Sequence, residues 1–297
     1  MIDSIDELSD RLRQELYVCD RETATAIFLS IRLKKPLLLE GLPGSGKSAL
    51  ARCLARALGS PLVVLTCHAD IDEQQAVYEW NVARQLLRIR LAEANREPFE
   101  RVERELKTRE YLVARPLLEA FSASDGRTPV LLVDRIDRAK LAFEEFLAEA
   151  LSTFSLSIPG HGVVRAKEPP VVVVTSSGSR ELGGRLKGIC LYRNFEYPDF
   201  AQEFDILLVR VPGISRSLAG QVCNLTALLR ERALVRPPRV AETVAWAQAL
   251  VALRRTELEP EVVDQTLGCV LKDANDIARF RRQPLDKLLR PAVDRVG

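Results

Sequence analysis

Short apolar runs alternate with longer stretches of helical periodicity through the first two thirds of the chain. Short runs of this kind, bounded by charged or turn-forming residues, are typical of buried strands. Five such segments occur, namely Pro36–Leu39, Leu62–Leu65, Pro129–Val133, Val171–Val174 and Leu191–Tyr197. Because strands that alternate with helices form parallel sheets covered on both faces, we predict an α/β fold with a parallel five-stranded sheet between helices.

The rest of the pattern is mainly helical and divides the chain near residue 198. Residues 4–33 have apolar positions at helical spacing, whereas residues 156–165 contain the proline and glycines of a hairpin. Residues 69–120 are longer and more charged than a crossover between strands needs, which predicts an insertion. We therefore predict an α/β domain over residues 1–198 and a small all-α domain over residues 199–297.

Composition and charge narrow the classes of function. The chain has 43 basic and 41 acidic side chains, interspersed along its length, so no basic stripe indicates a nucleic-acid partner. No window reaches the run of about 18 apolar residues that a membrane span needs. The acidic first residues lack the apolar core of a signal peptide, and no two cysteines form a C-x-x-C pair. We expect a cytoplasmic protein with reduced thiols.

A phosphate-binding motif stands between the first predicted strand and the helix that follows it. Residues 41–48 read Gly-Leu-Pro-Gly-Ser-Gly-Lys-Ser and fit the pattern G-x-x-x-x-G-K-[ST]. The glycines let backbone N–H groups point at a triphosphate, and the lysine adds a positive charge. The alternative is a glycine turn that only caps a helix. The motif predicts binding of a purine nucleoside triphosphate, with contacts from Gly41, Pro43, Gly44, Ser45, Gly46, Lys47, Ser48 and Ala49.

The third predicted strand ends in Asp134, the expected position of a Walker B carboxylate. Asp134, through water, and the Ser48 hydroxyl are the expected ligands of Mg²⁺; the alternative is an aspartate that caps the next turn. Arg135 follows, where hydrolysing proteins of this type have a glutamate that deprotonates the attacking water. Because a guanidinium cannot accept a proton, Arg135 predicts nucleotide binding without efficient turnover.

The segment around Asp134 resembles a known family. Residues 131–139 read Leu-Leu-Val-Asp-Arg-Ile-Asp-Arg-Ala, which is similar to the extended Walker B element of the MoxR family of AAA+ ATPases. The resemblance spans roughly residues 20–275 and is greatest to the CoxD-type branch, which is associated with maturation of carbon monoxide dehydrogenase. It implies a phosphate-loop AAA+ core, a C-terminal helical lid, and ATP and Mg²⁺ as cofactors.

The resemblance places three catalytic positions at Asp134, Arg135 and Ser177. Asp134 matches the family, whereas Ser177 stands where the family has an asparagine, the sensor-1 residue that contacts the attacking water. Serine is shorter than asparagine, so this contact is in doubt. Asp137 and Glu181 are the nearest alternative bases, although Asp137 matches a structural position of the family pattern.

The arginines of the family site are also incompletely present. The segment expected to hold the arginine finger, which acts on a neighbouring subunit, reads Lys187-Gly188-Ile189. Arg180, Arg185 and Lys187 are the candidates to replace it, and none stands at the matching position. Arg239 lies near the expected lid arginine, called sensor 2, and completes the predicted nucleotide site.

Three functions follow from these motifs. The first is an ATP-binding chaperone or assembly factor for a metalloenzyme complex, with impaired hydrolysis, acting with other AAA+ subunits in a homomeric or heteromeric ring. The second is a fully active AAA+ ATPase that remodels a client together with a partner containing a von Willebrand factor A domain. The third, an AAA+ protein directed at nucleic acid, lacks a basic stripe or a helix-turn-helix pattern.

Overall fold

The computed structural model describes residues 2–106, 108–123 and 126–282, and of residue 109 only the backbone. The strands lie at Leu37–Gly41 (β1), Leu62–Thr66 (β2), Tyr78–Trp80 (β3), Leu112–Ala114 (β4), Val130–Asp134 (β5), Ser155–Ile158 (β6), Gly162–Arg165 (β7), Val171–Ser176 (β8) and Leu191–Phe195 (β9). The helices up to the last strand lie at Ile5–Gln14 (α1), Arg21–Leu33 (α2), Lys47–Ala57 (α3), Glu73–Val77 (α4), Val82–Asn95 (α5), Phe99–Leu106 (α6), Pro116–Ser122 (α7), Leu141–Thr153 (α8) and Gly184–Ile189 (α9). Those that follow it lie at Phe200–Arg210 (α10), Arg216–Arg230 (α11), Val240–Ala252 (α12), Pro260–Val270 (α13) and Ala274–Arg281 (α14).

The central sheet has the strand order β2-β5-β8-β1-β9. The pairs β2–β5, β5–β8 and β1–β8 are parallel, with Leu131 opposite Val172 and Leu38 opposite Val174. The α/β fold with a parallel five-stranded sheet is confirmed, and each predicted strand is present in it. Because the strands are parallel, the carboxyl ends of β1, β5 and β8 lie at one edge of the sheet.

The chain divides into two compact units. The sheet unit contains residues 25–40 and 54–194, and the helical unit contains residues 2–24, 41–53 and 195–282. The division into domains at residue 198 stays a prediction, and residues 283–297 of the predicted lid lie outside the described residues.

Each unit has its own hydrophobic core. In the sheet unit, Leu131, Val133 and Val172 of the strands are buried with Leu117 of α7 and Leu147 of α8. In the helical unit the core is formed by α10–α14, and the described chain after residue 198 is mainly helical, as predicted. None of the helices in the described part of the chain has the length and apolar content that crossing a bilayer requires.

The segment between β2 and β5, which is predicted to be an insertion, contains the helices α4–α7 and the strands β3 and β4. Helices α5 and α6 lie between the strands β3 and β4 in the chain, and these two strands pair antiparallel. Arg88 Nη2 lies 2.7 Å from Glu97 Oε2 and 2.7 Å from Glu105 Oε2, which joins the two helices. The predicted hairpin is confirmed as the antiparallel pair β6–β7.

Residues 4–33 are mainly helical as predicted, but they form two helices, α1 and α2, with a break between them. Leu16 has a φ of 60°, in the left-handed region that interrupts a helix. Asp20 Oδ1 accepts a hydrogen bond of 2.6 Å from the Thr23 N–H, which starts α2. Periodicity alone missed this break because the apolar spacing resumes on its other side.

Candidate nucleotide-binding site

The phosphate loop runs from the end of β1 to the start of α3. Gly44 and Gly46 have φ angles of 85° and 98°, which side chains with a Cβ rarely adopt. Lys47 begins α3, so Ser48 and Ala49 lie in its first turn. The sequence therefore folds here into a backbone turn directly before a helix N-terminus, the arrangement that binds phosphate.

The Lys47 side chain lies against this loop. Its ammonium group donates to the carbonyl oxygens of Gly41 at 2.7 Å and Leu42 at 2.8 Å, and to Ser45 Oγ at 3.1 Å. Only 7% of Lys47 is exposed. The ammonium group of Lys47 is thus buried in the loop and bound by three of the loop's own oxygen atoms.

Arg239, the predicted lid arginine, lies on the same loop. A Cβ placed on Gly44 would come within 2.3 Å of Arg239 Cδ and 2.9 Å of its Cβ and Cγ. The arginine stem therefore packs directly on Gly44, and both residues belong to the helical unit. This contact places the aliphatic stem of an arginine on the phosphate loop.

Tyr17, in the connection between α1 and α2, contacts the phosphate loop and was missed by the sequence analysis. Its hydroxyl donates to the carbonyl oxygen of Gly46 at 3.4 Å. Burial raises the pKa of the Tyr17 phenol well above its usual value, so the hydroxyl keeps its proton. A tyrosine after an amphipathic helix carries no signal of this role, because the contact depends on where the chain turns.

Asp134 and Arg135, at the end of β5, are hydrogen-bonded to Thr175 of the neighbouring strand β8. Thr175 Oγ1 donates to Asp134 Oδ1 at 2.7 Å and accepts from the Arg135 N–H at 2.9 Å. Arg135 has a φ of 59° and lies with its Nε 3.9 Å from Asp134 Oδ2. The carboxylate expected to act on Mg²⁺ thus has a hydroxyl on one oxygen and a guanidinium near the other. Arg135 itself offers no atom that accepts a proton.

Asp137 is the anchor of the loop after β8. Its Oδ2 accepts from Ser177 Oγ at 2.5 Å, from the Ser179 N–H at 3.1 Å and from Ser179 Oγ at 2.6 Å. Burial opposes ionisation of this carboxyl, but the hydrogen bonds from Ser177 and Ser179 outweigh it and lower its pKa to about 2. A carboxylate with so low a pKa is a weak base, and the Ser177 hydroxyl is already bound to it.

The candidates to replace the arginine finger are engaged within the sheet unit. Arg180 Nη1 lies 2.6 Å from the buried Glu144 Oε2, and its Nη2 donates to the Ala139 carbonyl at 3.0 Å. Arg185 Nη1 lies 3.6 Å from Glu145 Oε2, and its Nη2 lies 3.5 Å from Glu149 Oε2. Each arginine is thus paired inside its own chain.

The remaining finger candidate and the second alternative base form a pair with each other. Lys187 Nζ lies 4.0 Å from Glu181 Oε1. The Glu181 side chain is 90% exposed, so it lies in solvent instead of facing a buried water. Neither residue is held in the geometry that a catalytic group needs.

Glu40, the residue before the phosphate loop, is a further group that sequence reasoning missed. Its Oε1 accepts from Ser176 Oγ at 3.2 Å and its Oε2 from the Tyr192 hydroxyl at 3.0 Å. These bonds join the ends of β1, β8 and β9, so the strand that leads into the phosphate loop is held from both neighbours. The signal available for it in the sequence is a charged residue directly after the apolar run Pro36–Leu39.

Comparison with known proteins finds a similarity to an AAA ATPase domain. Residues 21–164, just under half of the chain, match the family model described as the AAA ATPase domain. No curated protein matches the sequence.

Two solved structures are similar at low identity. A mutant of RuvB from Thermotoga maritima has a TM-score of 0.49 and 17% identity, covering 90% of this chain and 72% of that one. A presumed ATPase from Cytophaga hutchinsonii has a TM-score of 0.47 and 12% identity, covering 99% of this chain and 95% of that one. At these values neither structure indicates what this chain binds.

Proposed function

We propose that this chain binds ATP with Mg²⁺, hydrolyses it poorly, and acts as a MoxR-type assembly factor in the maturation of a metalloenzyme complex. The AAA ATPase domain and the phosphate loop support the nucleotide. The observation that carries the poor hydrolysis is Arg135, which occupies the position of the base and lies beside the Asp134 carboxylate.

The phosphate-binding part of the proposed site is complete. The backbone of residues 41–49 turns around the buried ammonium of Lys47, and Arg239 packs on Gly44. In the proposal, loop N–H groups, Lys47 and Arg239 hold the triphosphate as charge-assisted hydrogen-bond donors. These contacts require no proton acceptor; Lys47 would exchange one of its present partners, the oxygens of Gly41, Leu42 and Ser45, for a phosphate oxygen.

The residues proposed for Mg²⁺ fit the chemistry of that ion. Magnesium prefers oxygen ligands and usually takes one or two from the protein, with phosphate oxygens and water completing its shell. Ser48 supplies a hydroxyl in the first turn of α3, and Asp134 a carboxylate at the end of β5. When bound, the ion would neutralise charge on the phosphates. In the proposal, the phosphate loop orients the nucleotide.

Among the described residues, the positions at which the resemblance predicts groups that activate water do not supply them. Arg135 cannot accept a proton, and Asp137 is held as an anion with a pKa of about 2 by Ser177 and Ser179. Because Ser177 donates to Asp137, the sensor-1 position is used to fix a loop. Each missing catalytic group costs about 10²-fold or more in rate, so the proposed protein retains ATP after binding it.

The proposed partners follow from the MoxR resemblance. They are other AAA+ subunits, a protein with a von Willebrand factor A domain, and a metalloenzyme client. A subunit that keeps ATP bound while a homologous neighbour hydrolyses it would act as a fixed element of such an assembly.

Recovery of the bound nucleotide tests the proposal. The purified full chain is incubated with Mg-ATP, freed of unbound nucleotide by gel filtration, and its bound nucleotide is separated by ion-exchange chromatography. We expect ATP at close to one molecule per chain. Recovery of ADP alone would support the active ATPase that works with a partner, and recovery of no nucleotide would contradict ATP binding.

A further inference from the structure

A buried ion pair joins the helices α10 and α11 of the helical unit, to which Arg239 also belongs. Arg230, at the end of α11, donates from Nη1 and Nη2 to the two carboxylate oxygens of Glu203 in α10 at 2.6 and 2.7 Å. The side chains are 15% and 3% exposed, respectively. Burial opposes the charge of Arg230, but the hydrogen bonds to Glu203 outweigh it and raise its pKa, so the guanidinium stays charged.

The same guanidinium holds the segment that ends in Arg239. Its Nε donates to the carbonyl oxygen of Pro238 at 2.8 Å, and its Nη2 to Thr243 Oγ1 at 3.1 Å. Thr243 Oγ1 in turn donates to the Arg239 carbonyl oxygen at 3.2 Å. The backbone on both sides of the Arg239 Cα is thus fixed by Arg230, directly at one end and through a hydroxyl at the other.

A second buried carboxylate fixes the start of this segment. Asp276, which has no exposed surface, accepts from the N–H groups of Val235 and Arg236 at 3.0 Å each. Glu242 Oε2 accepts from the Arg239 N–H at 3.1 Å. Residues 235–239 lie outside regular helix, so these side chains, instead of a helical ladder, determine where the backbone runs.

The geometry points to Arg230 as a positioning residue that, with Glu203, presents Arg239 to the phosphate loop. A buried ion pair contributes little net stability, because desolvation offsets most of the attraction between the charges. The ion pair instead holds the Arg230 guanidinium in one orientation. Its planar set of donors binds several acceptors at once, which a lysine cannot do. The inference rests on the proposed binding of ATP and adds that affinity depends on a residue that does not itself contact the Arg239 side chain or the loop.

A double-mutant cycle on the full chain tests this assignment, with Mg-ATP affinity measured by calorimetry. We expect Arg239→Ala to weaken binding about 10-fold, as the loss of a charge-assisted hydrogen bond does. Arg230→Lys should weaken it by a similar factor of about 10, because the charge remains while Arg239 is no longer fixed. In the double variant the loss should stay at about 10-fold, because both changes remove one function.

Thr266→Val provides the matched control. It removes the buried hydrogen bond from Trp246 Nε1 to Thr266 Oγ1, 2.8 Å long, which lies in the same unit and involves none of residues 235–239. We expect lower thermal stability with unchanged Mg-ATP affinity. A loss of affinity in Thr266→Val equal to that in Arg230→Lys would reduce the effect to general destabilisation and overturn the inference.

Other outcomes also decide it. Additive losses of about 100-fold in the double variant, or full affinity in Arg230→Lys, would overturn the positioning role. If Arg230→Lys does not fold, the cycle is run with Thr243→Val, which removes the link to the Arg239 carbonyl; about 3-fold loss is expected, absent when Arg239 is alanine. A wild-type chain that fails to bind Mg-ATP would contradict the proposed function, whereas binding that ignores these variants contradicts only this inference.

Discussion

The phosphate loop and the carboxyl ends of β5 and β8 differ in what their polar side chains are bound to. In the loop, the buried ammonium of Lys47 and the stem of Arg239 lie on backbone that turns toward a helix N-terminus. At the ends of β5 and β8, Thr175 binds Asp134 and Ser177 binds Asp137. The first region contains cationic side chains beside a helix N-terminus, whereas the second contains carboxylates bound by hydroxyls. The proposed binding of ATP and the proposed loss of hydrolysis therefore depend on different groups.

The largest effect is expected from removing the cation of the loop. Lys47→Ala should weaken Mg-ATP binding by about 2–3 kcal/mol, or roughly 30- to 150-fold, since a buried charge-assisted hydrogen bond is lost. Calorimetric titration of both proteins measures the difference. Lys140→Ala, at an exposed lysine 3.7 Å from Asp70, is the control and should bind as the wild type does. Equal affinity of wild type and Lys47→Ala would show that the loop does not hold the phosphates.

The Asp137 carboxylate should stabilise the folded protein at pH values above the ordinary pKa of an aspartate. Its folded pKa of about 2 lies below the usual value of 3.8, so its stabilisation is complete above about pH 4 and is lost as pH falls toward 2. The contribution is about 2 kcal/mol. Urea unfolding of wild type and Asp137→Asn at several pH values measures it.

We expect the free energy of unfolding to fall more steeply in the wild type than in Asp137→Asn between pH 4 and 2. Asp70→Asn, at a side chain that is 89% exposed, should retain the wild-type slope. The same slope in all three proteins would show that Ser177 and Ser179 do not hold the carboxylate, and Ser177 would then regain its place as a candidate contact of water.

The features that the sequence predicted are local ones. An apolar run is enough to identify a buried strand, and the glycine-lysine motif fixes the phosphate loop within eight residues. The pairs that determine the rest are distant along the chain: Ser177 and Asp137 are 40 residues apart, and Arg230 and Glu203 are 27 apart. No periodicity relates such residues, so which serine binds which carboxylate emerges only when the strands are side by side.

The helix break at Leu16 illustrates a second limit. A left-handed residue costs about 1–2 kcal/mol and has no signature when it is leucine. The break nevertheless directs Tyr17 to Gly46, so a feature that the sequence concealed contributes to the phosphate loop.

Assembly sharpens the comparison between the two regions. Gly188 and Ile189 at the expected finger position cannot serve a neighbour in a homomer, and Arg180, Arg185 and Lys187 are each paired within the chain. We therefore expect a heteromeric, nucleotide-dependent complex. Size-exclusion chromatography with light scattering, with and without Mg-ATP and with extract of the source cell, measures this. A particle that stays monomeric under all of these conditions would contradict the prediction.

Steady-state release of phosphate from ATP tests the central claim most directly, with wild type and Arg135→Glu compared over a range of protein concentrations. Hydrolysis needs a base, a group that orients the water and a cation on the developing charge, and Arg135→Glu restores only the first. We expect both proteins to turn over below about 0.01 s⁻¹, against about 1–100 s⁻¹ for well-equipped phosphoryl-transfer enzymes. A wild-type rate near 1 s⁻¹ would contradict the account and show that another residue serves as the base.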